Sequence, residues 1–263
     1  MIDLTGKVIL VTGGSQGIGA ATVRVLHQAG ANVILHYGKS REKAEKIYQE
    51  LGEASCYLVQ GNLAEKNAAL ELWQKAISWQ GKIDIIVNNA GMMTPASIDD
   101  NLETWNQAWQ QTLQVNLIAV ADLCREAIHY FKQQNIKQQN IKQQKGGIII
   151  NIASRAAFRG DTPDYIHYAA SKGGIISLTR TIARGFAKDH ILAYAIAPGY
   201  VRTDRIIETA IQAYGEDNLT KDIPMGEMAS PEDVAQVVAF LASGLAPHTT
   251  GTTIDVNGAS YVR

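Results

Sequence analysis

Short apolar runs separated by longer stretches of helical periodicity recur along almost the whole chain. Lys7 to Val11 is apolar after a single lysine; a glycine turn follows, and apolar positions then recur at helical spacing from Ala20 to Ala29. Further runs suited to strands lie at Asn32 to His36, Cys56 to Val59, Ile83 to Val87, Ile148 to Ile152, Ala193 to Ala197 and Thr252 to Val256. Their hydrophobicity is continuous rather than alternating, the mark of strands covered on both faces. Strand-helix alternation with right-handed crossovers predicts an α/β fold, a doubly wound parallel sheet of about seven strands with helices on both faces. No shift in composition divides the chain, so residues 1–263 are expected to form a single unit.

One stretch breaks the pattern. Residues 132–145 carry a tandem Asn-Ile-Lys-Gln-Gln repeat between the fourth long helix and the fifth strand. Its isoleucines, five apart, define no helical face, so a mobile low-complexity insertion at a helix end or surface loop is expected.

Composition narrows the class. The chain has 263 residues, 46% hydrophobic and 19% charged, with a formal net charge of -1. A core of that size needs no disulfide or metal staple, and near-neutrality argues against nucleic acid as the main partner. Cys56 and Cys124 read as reduced thiols of a cytoplasmic protein. The histidines show no HxH or HExxH spacing, so no metal site is expected. No apolar run approaches the roughly 20 residues of a membrane span, and the first residues lack a signal-peptide pattern.

Candidate chemistry begins at the turn after the first strand. Gly13, Gly17 and Gly19, with Ser15, Gln16 and Ile18 between them, bring backbone N–H groups to a helix N-terminus, where a pyrophosphate can sit. The second strand ends at His36 and Tyr37, with Tyr37 an expected cofactor contact beside the adenosine ribose, and lacks the carboxylate that selects NAD(H). Lys39, Ser40 and Arg41 follow, a set able to hold a 2′-phosphate, which favours NADP(H) over NAD(H). Further on, Tyr168 and Lys172 lie one helical turn apart, so an ammonium can approach a phenol and lower its pKa for proton exchange. Ser154 ends the preceding strand, where ligands of such sheets bind and a hydroxyl can donate to a substrate oxygen.

Taken together, TGGSQGIG at 12–19, Asn88-Asn89-Ala90-Gly91, Asn116, Ser154, YAASK at 168–172 and Pro198-Gly199 with Thr203 resemble the short-chain dehydrogenase/reductase family over essentially the whole chain. The resemblance implies a Rossmann-type fold and a catalytic tetrad of Asn116, Ser154, Tyr168 and Lys172, with Asn116 holding a water that connects Lys172 to solvent. It implies cofactor contacts from Asn62 and Leu63, from Asn88, Asn89, Ala90 and Gly91, and from Pro198, Gly199, Val201 and Thr203. Ile223-Pro224-Met225-Gly226, Ser230 to Ala235 and Asp255-Val256-Asn257-Gly258 look most like the 3-oxoacyl-(acyl-carrier-protein) reductases within that family. Three positions depart from them: Gln16 where NADPH-using members often carry Arg, Asn62 for Asp, and Tyr194 for Asn.

What the resemblance implies is NADPH-dependent reduction of a carbonyl such as a 3-oxoacyl thioester. Arg155, Arg159, Arg202 and Arg205 would then face an acidic acyl carrier protein. An alcohol, polyol or sugar dehydrogenase is the second reading, and a non-catalytic dinucleotide-binding regulator the third. Segment 203–228 is expected to cover the substrate. Tyr165, seven residues before Lys172, is a rival proton donor at the spacing of enoyl reductases. A homotetramer built on the fourth and fifth long helices and the C-terminal edge is also implied.

Overall fold

The computed structural model describes residues 2–137 and 146–263. All seven predicted strands form: β1 (Val8–Val11), β2 (Asn32–Tyr37), β3 (Cys56–Gln60), β4 (Ile85–Asn88), β5 (Ile148–Ile152), β6 (Leu192–Pro198) and β7 (Thr253–Val256). They make one parallel sheet in the order β3-β2-β1-β4-β5-β6-β7. β1 pairs with both β2 and β4, so the chain reverses its direction of travel there. That reversal opens a crevice at the carboxyl ends of β1 and β4, where ligands of open α/β sheets bind.

Two-sided burial explains the continuous apolar runs. In β1, Val8 and Leu10 join one core layer while Ile9 and Val11 join the other. The first layer is closed by α3 (Ala68–Ser78), α5 (Ala119–Lys137) and α7 (Ile166–Phe186). The second is closed by α1 (Gly17–Gln28), α2 (Arg41–Leu51) and α11 (Pro231–Ala242). A capping box fixes the start of α11: the Ser230 hydroxyl accepts the Asp233 N–H while the Asp233 carboxylate accepts the Ser230 N–H. Cys124 belongs to the first layer and Cys56 to the second; both thiols are free, and burial pushes each up to about 12.

Of the two places expected for the repeat, its start takes the helix end. α5 runs through Lys137, so the segment's first six residues continue that helix. Lys132 faces Asp189 at 3.7 Å, and the Asn135 amide donates to the Asp189 carbonyl, which pins this helix end to the turn after α7. The remaining residues, 138–145, lie outside the described part.

Segment 203–228 has internal structure: α8 (Asp204–Ile206), a π turn (Ile207–Ile211), α9 (Gln212–Tyr214) and α10 (Glu216–Thr220). A small cluster of its own, Leu219, Ile223 and Met228, packs against Tyr200, Ile206 and Ile211. Among the described residues no helix is long and apolar enough to cross a membrane.

Candidate active site

The glycine turn lies where the sequence places it, in an open cleft of about 620 Å³ at the carboxyl ends of β1, β2, β3 and β4. Its fit to a dinucleotide can be tested by adding a Cβ to each glycine. At Gly19 that atom would lie 2.1 Å from the Gly13 oxygen, and at Gly13 it would lie 2.9 Å from the Ala90 Cα. Gly13 and Gly17 also hold positive φ, at 63° and 53°, a region closed to most side chains. Gln16, at the N-cap of α1, makes no side-chain capping bond, and the first turn contains no acid. The amides of that turn are therefore free to meet an outside anion. These residues fit the pyrophosphate of a nicotinamide dinucleotide.

Ser15, Gln16, Ile18, Lys39, Ser40, Asn62 and Leu63 all line this cleft, as do Asn89, Ala90, Gly91 and Thr203 across from them. Asn89 ties the turn together, donating from Nδ2 to the carbonyls of Thr12 and Gly13. The Thr12 hydroxyl accepts the Asn89 and Ala90 amides. Asn62 is engaged locally: its Oδ1 accepts the Ala64 N–H and its Nδ2 donates to Glu65.

Tyr37 and Asn88 do not line the cleft. Tyr37 turns into the α1/α2 core layer and is only 9% exposed, because β2 alternates and the preceding residue takes the cleft side. Asn88 likewise points into the core, where its amide donates to Asn151 Oδ1 at 2.8 Å. Asn151 in turn donates to Thr179 on α7, so a buried polar chain joins β4, β5 and α7 beneath the site.

The reactive group assembles on β5 and α7. Ser154 follows β5, and Tyr168 and Lys172 lie on one face of α7, which begins two residues before Tyr168. Burial holds the Tyr168 phenol above its ordinary pKa; the Ser154 hydroxyl opposes this through its hydrogen-bonding contact, and the Arg205 guanidinium opposes it by charge. Lys172 Nζ lies 5.9 Å from the Tyr168 ring centre and donates to the Ile152 carbonyl at 2.8 Å. Burial brings the Lys172 amine down to about 8. Lys172 is not among the groups that shift the Tyr168 phenol in the protein alone, where burial dominates. A raised phenol pKa keeps the proton on Tyr168 at neutral pH, as a proton donor requires.

Asn116 is fully buried on a π turn, Gln114–Ile118, between α4 (Leu102–Leu113) and α5. Its Oδ1 accepts the Met92 N–H, and its Nδ2 donates to the Met92 carbonyl and to Ser171 Oγ. Both amide protons are spent, so of this side chain only the remaining lone pair of Oδ1 is open to a water. Gly91 keeps this region open: a Cβ there would lie 3.4 Å from Asn116 Oδ1 and 3.6 Å from Lys172 Nζ. The carboxyl end of β6 runs beside the Ser154 loop, with the Arg155 N–H donating to the Pro198 carbonyl. Gly199 packs against Asn257, Val201 bridges to Ala229, and the Thr203 hydroxyl caps α8.

Sequence reasoning missed His36, Lys43, Asp204 and Glu208 in the cleft wall and His167 beside Tyr168. The imidazole of His167 is fully buried, with Nε2 bonded to the Thr94 carbonyl. The signal for His36 was its place opposite Tyr37 in the β2 alternation. For Lys43 and Asp204, 161 residues apart yet 3.5 Å across the cleft, nothing in the sequence announces the meeting.

Comparison with known proteins agrees with this geometry. A family model described as enoyl-(acyl carrier protein) reductase matches residues 13–259. The chain is 34% identical over 260 residues to a 3-oxoacyl-[acyl-carrier-protein] reductase of Staphylococcus epidermidis, covering 97% of this chain and 99% of that protein. It is 36% identical over 258 residues to 3beta-hydroxysteroid dehydrogenase 1 of Eggerthella lenta, covering 97% and 94%. The crystal structure of a 3-ketoacyl-(acyl-carrier-protein) reductase from Brucella melitensis complexed with NADH is similar with a TM-score of 0.85 at 28% identity, covering 99% of this chain and all of that one. With matches that span nearly its full length, the chain belongs to the short-chain dehydrogenase/reductase family of oxidoreductases.

Proposed function

We propose that this chain is an NADPH-favouring ketoreductase that reduces a 3-oxoacyl thioester, presented on an acyl carrier protein, to the hydroxy product. The observation that carries the reading is the Ser154–Tyr168–Lys172 group, set at the carboxyl edge of the sheet beside a cleft shaped for a dinucleotide. When bound, a reduced nicotinamide supplies the hydride. Tyr168 gives its proton to the carbonyl oxygen as the carbonyl carbon accepts that hydride, and Ser154 orients the oxygen by donating to it. Lys172 has ammonium protons left beyond the one on Ile152, enough to hold a ribose hydroxyl. Asn116 acts as a positioning residue, clasping the Met92 loop to the α7 residue Ser171.

Cofactor preference rests on Lys39 and Ser40, which line the cleft. Arg41 is drawn along α2 into an ion pair with Glu45 and is a poorer candidate for a 2′-phosphate. For a carrier protein, three of the four mouth arginines already have partners. Arg155 stacks on Tyr200 at 4.6 Å, Arg202 pairs with Glu216 and Arg205 donates to the Met93 carbonyl. Arg159, whose side chain makes no hydrogen bond or ion pair among the described residues, is the one best placed to meet an acidic partner. Assembly with further copies, a homotetramer in this reading, would use β7, which stands at one edge of the sheet.

Initial rates test the function. NADPH oxidation with acetoacetyl thioester is expected to exceed that with NADH, with diacetyl or with a sugar panel. The 36% identity to a hydroxysteroid dehydrogenase supports a second reading, oxidation of a secondary alcohol. Activity on alcohols with none on carbonyls would favour it.

A further inference from the structure

His36 is 2% exposed and lines the cleft at the end of β2, yet the mechanism above has no task for it. Its Nδ1 stands 3.1 Å from the Gly13 amide and its Nε2 stands 3.0 Å from the Gly61 carbonyl. An amide N–H can only donate, so Nδ1 must accept; the ring proton therefore sits on Nε2 and goes to Gly61. The backbone of the same residue takes the next donor of the turn, since the Gly14 N–H bonds to the His36 carbonyl at 2.8 Å. Gly13 is thus gripped on both sides, its N–H by the imidazole and its carbonyl by Asn89. The loops following β1 and β3 thus meet at this one ring on β2.

We propose that His36 is a positioning residue for dinucleotide binding: its neutral imidazole sets the Gly13 peptide and so aims the free amides of Gly17, Ile18 and Gly19 at the pyrophosphate. The inference rests on the dinucleotide reading above and assigns that reading's glycine turn a fixed support. The two ring nitrogens have separable duties. Nδ1 serves the cradle, while Nε2 serves the link to the loop after β3. An apolar side chain of the same size would leave the Gly13 N–H and the Gly61 carbonyl without partners at the floor of the cleft.

Two substitutions divide those duties. In His36→Asn the side-chain oxygen reaches the place of Nδ1 and keeps the acceptor for Gly13. In His36→Gln the longer amide reaches the place of Nε2 and keeps the donor to Gly61. The direct readout is the NADPH and NADH dissociation constant of each purified protein by calorimetric titration, with the unfolding midpoint of the dinucleotide-free protein measured alongside. His36→Gln is expected to bind the preferred dinucleotide about tenfold more weakly than His36→Asn, the effect of one buried donor left unmet. Its dinucleotide KM should rise by more than its kcat falls. Equal weakening in the two variants, or lowered midpoints with unchanged dissociation constants, would mean a merely structural histidine and overturn the proposal. Wild-type protein that binds neither dinucleotide would overturn the functional reading as well, so the two failures are distinguishable. A readout free of substitution is the long-range proton-nitrogen spectrum of the wild-type imidazoles. His36 is expected as the Nε2–H form, with an Nδ1 signal that moves on adding NADPH; an Nδ1–H form would overturn the proposal.

Discussion

Between pH 7 and pH 5 the protein should lose stability through His36. Burial lowers the pKa of this imidazole from the ordinary 6.5 to about 4, and the Gly61 hydrogen bond offsets only part of the effect. Inside that window the unfolded chain binds a proton that the folded chain refuses. Stability therefore rises with pH across the window and is lost as pH falls through it. Linkage over the whole window amounts to about 3 kcal/mol, of which about 2 kcal/mol falls between pH 7 and pH 5. Carboxylates titrate in the same range, so the comparison must be internal. Urea unfolding of wild type and His36→Asn, followed by tryptophan fluorescence at both pH values and constant ionic strength, isolates the histidine. Wild type should lose about 2 kcal/mol more than the variant between the two pH values. Equal losses would refute the claim that His36 is held neutral by burial.

Other perturbations reach different parts of the account. Gly19→Ala places a methyl 2.1 Å from the Gly13 oxygen and 2.5 Å from Asn89 Nδ2, both part of the cradle. Relieving an overlap of that kind costs about 1–3 kcal/mol, so NADPH affinity by titration should fall about fivefold or more. Ala259 holds a φ of 64° without being glycine. Ala259→Gly should therefore stabilise by about 0.5–1 kcal/mol, seen as a rise of about 2 °C in the thermal midpoint.

The fold was legible because burial on both faces of a parallel sheet writes itself as unbroken apolar runs, and each of the seven strands forms within a few residues of its run. The glycine turn and the Tyr168–Lys172 pair were legible for a related reason: each depends on spacing within one local element. What the sequence hid lies between elements. The Asn88 side chain enters the core and the Tyr37 side chain turns from the cleft because strand alternation assigns each to one face, and the motif alone does not say which. Lys172 donates to Ile152, and Asn116 spends its amide on Met92 and Ser171; both are tertiary meetings that no local spacing encodes. The isoleucines of the repeat define no face, so their spacing does not separate a helix end from a surface loop; α5 continues into it, held by Lys132 and Asn135 against Asp189.

The central claim is that Tyr168 delivers the proton, and it has a rival three residues away. Tyr165 sits at the start of α7, and burial raises its phenol above the ordinary pKa as well. The decisive measurement compares Tyr168→Phe with Tyr165→Phe in NADPH titrations and in single-turnover reduction of acetoacetyl thioester. The account predicts that Tyr168→Phe still binds NADPH while its reduction rate falls by about 10²-fold or more. Tyr165→Phe should retain most of the rate. Sustained reduction by Tyr168→Phe, with the loss appearing in Tyr165→Phe, would contradict it.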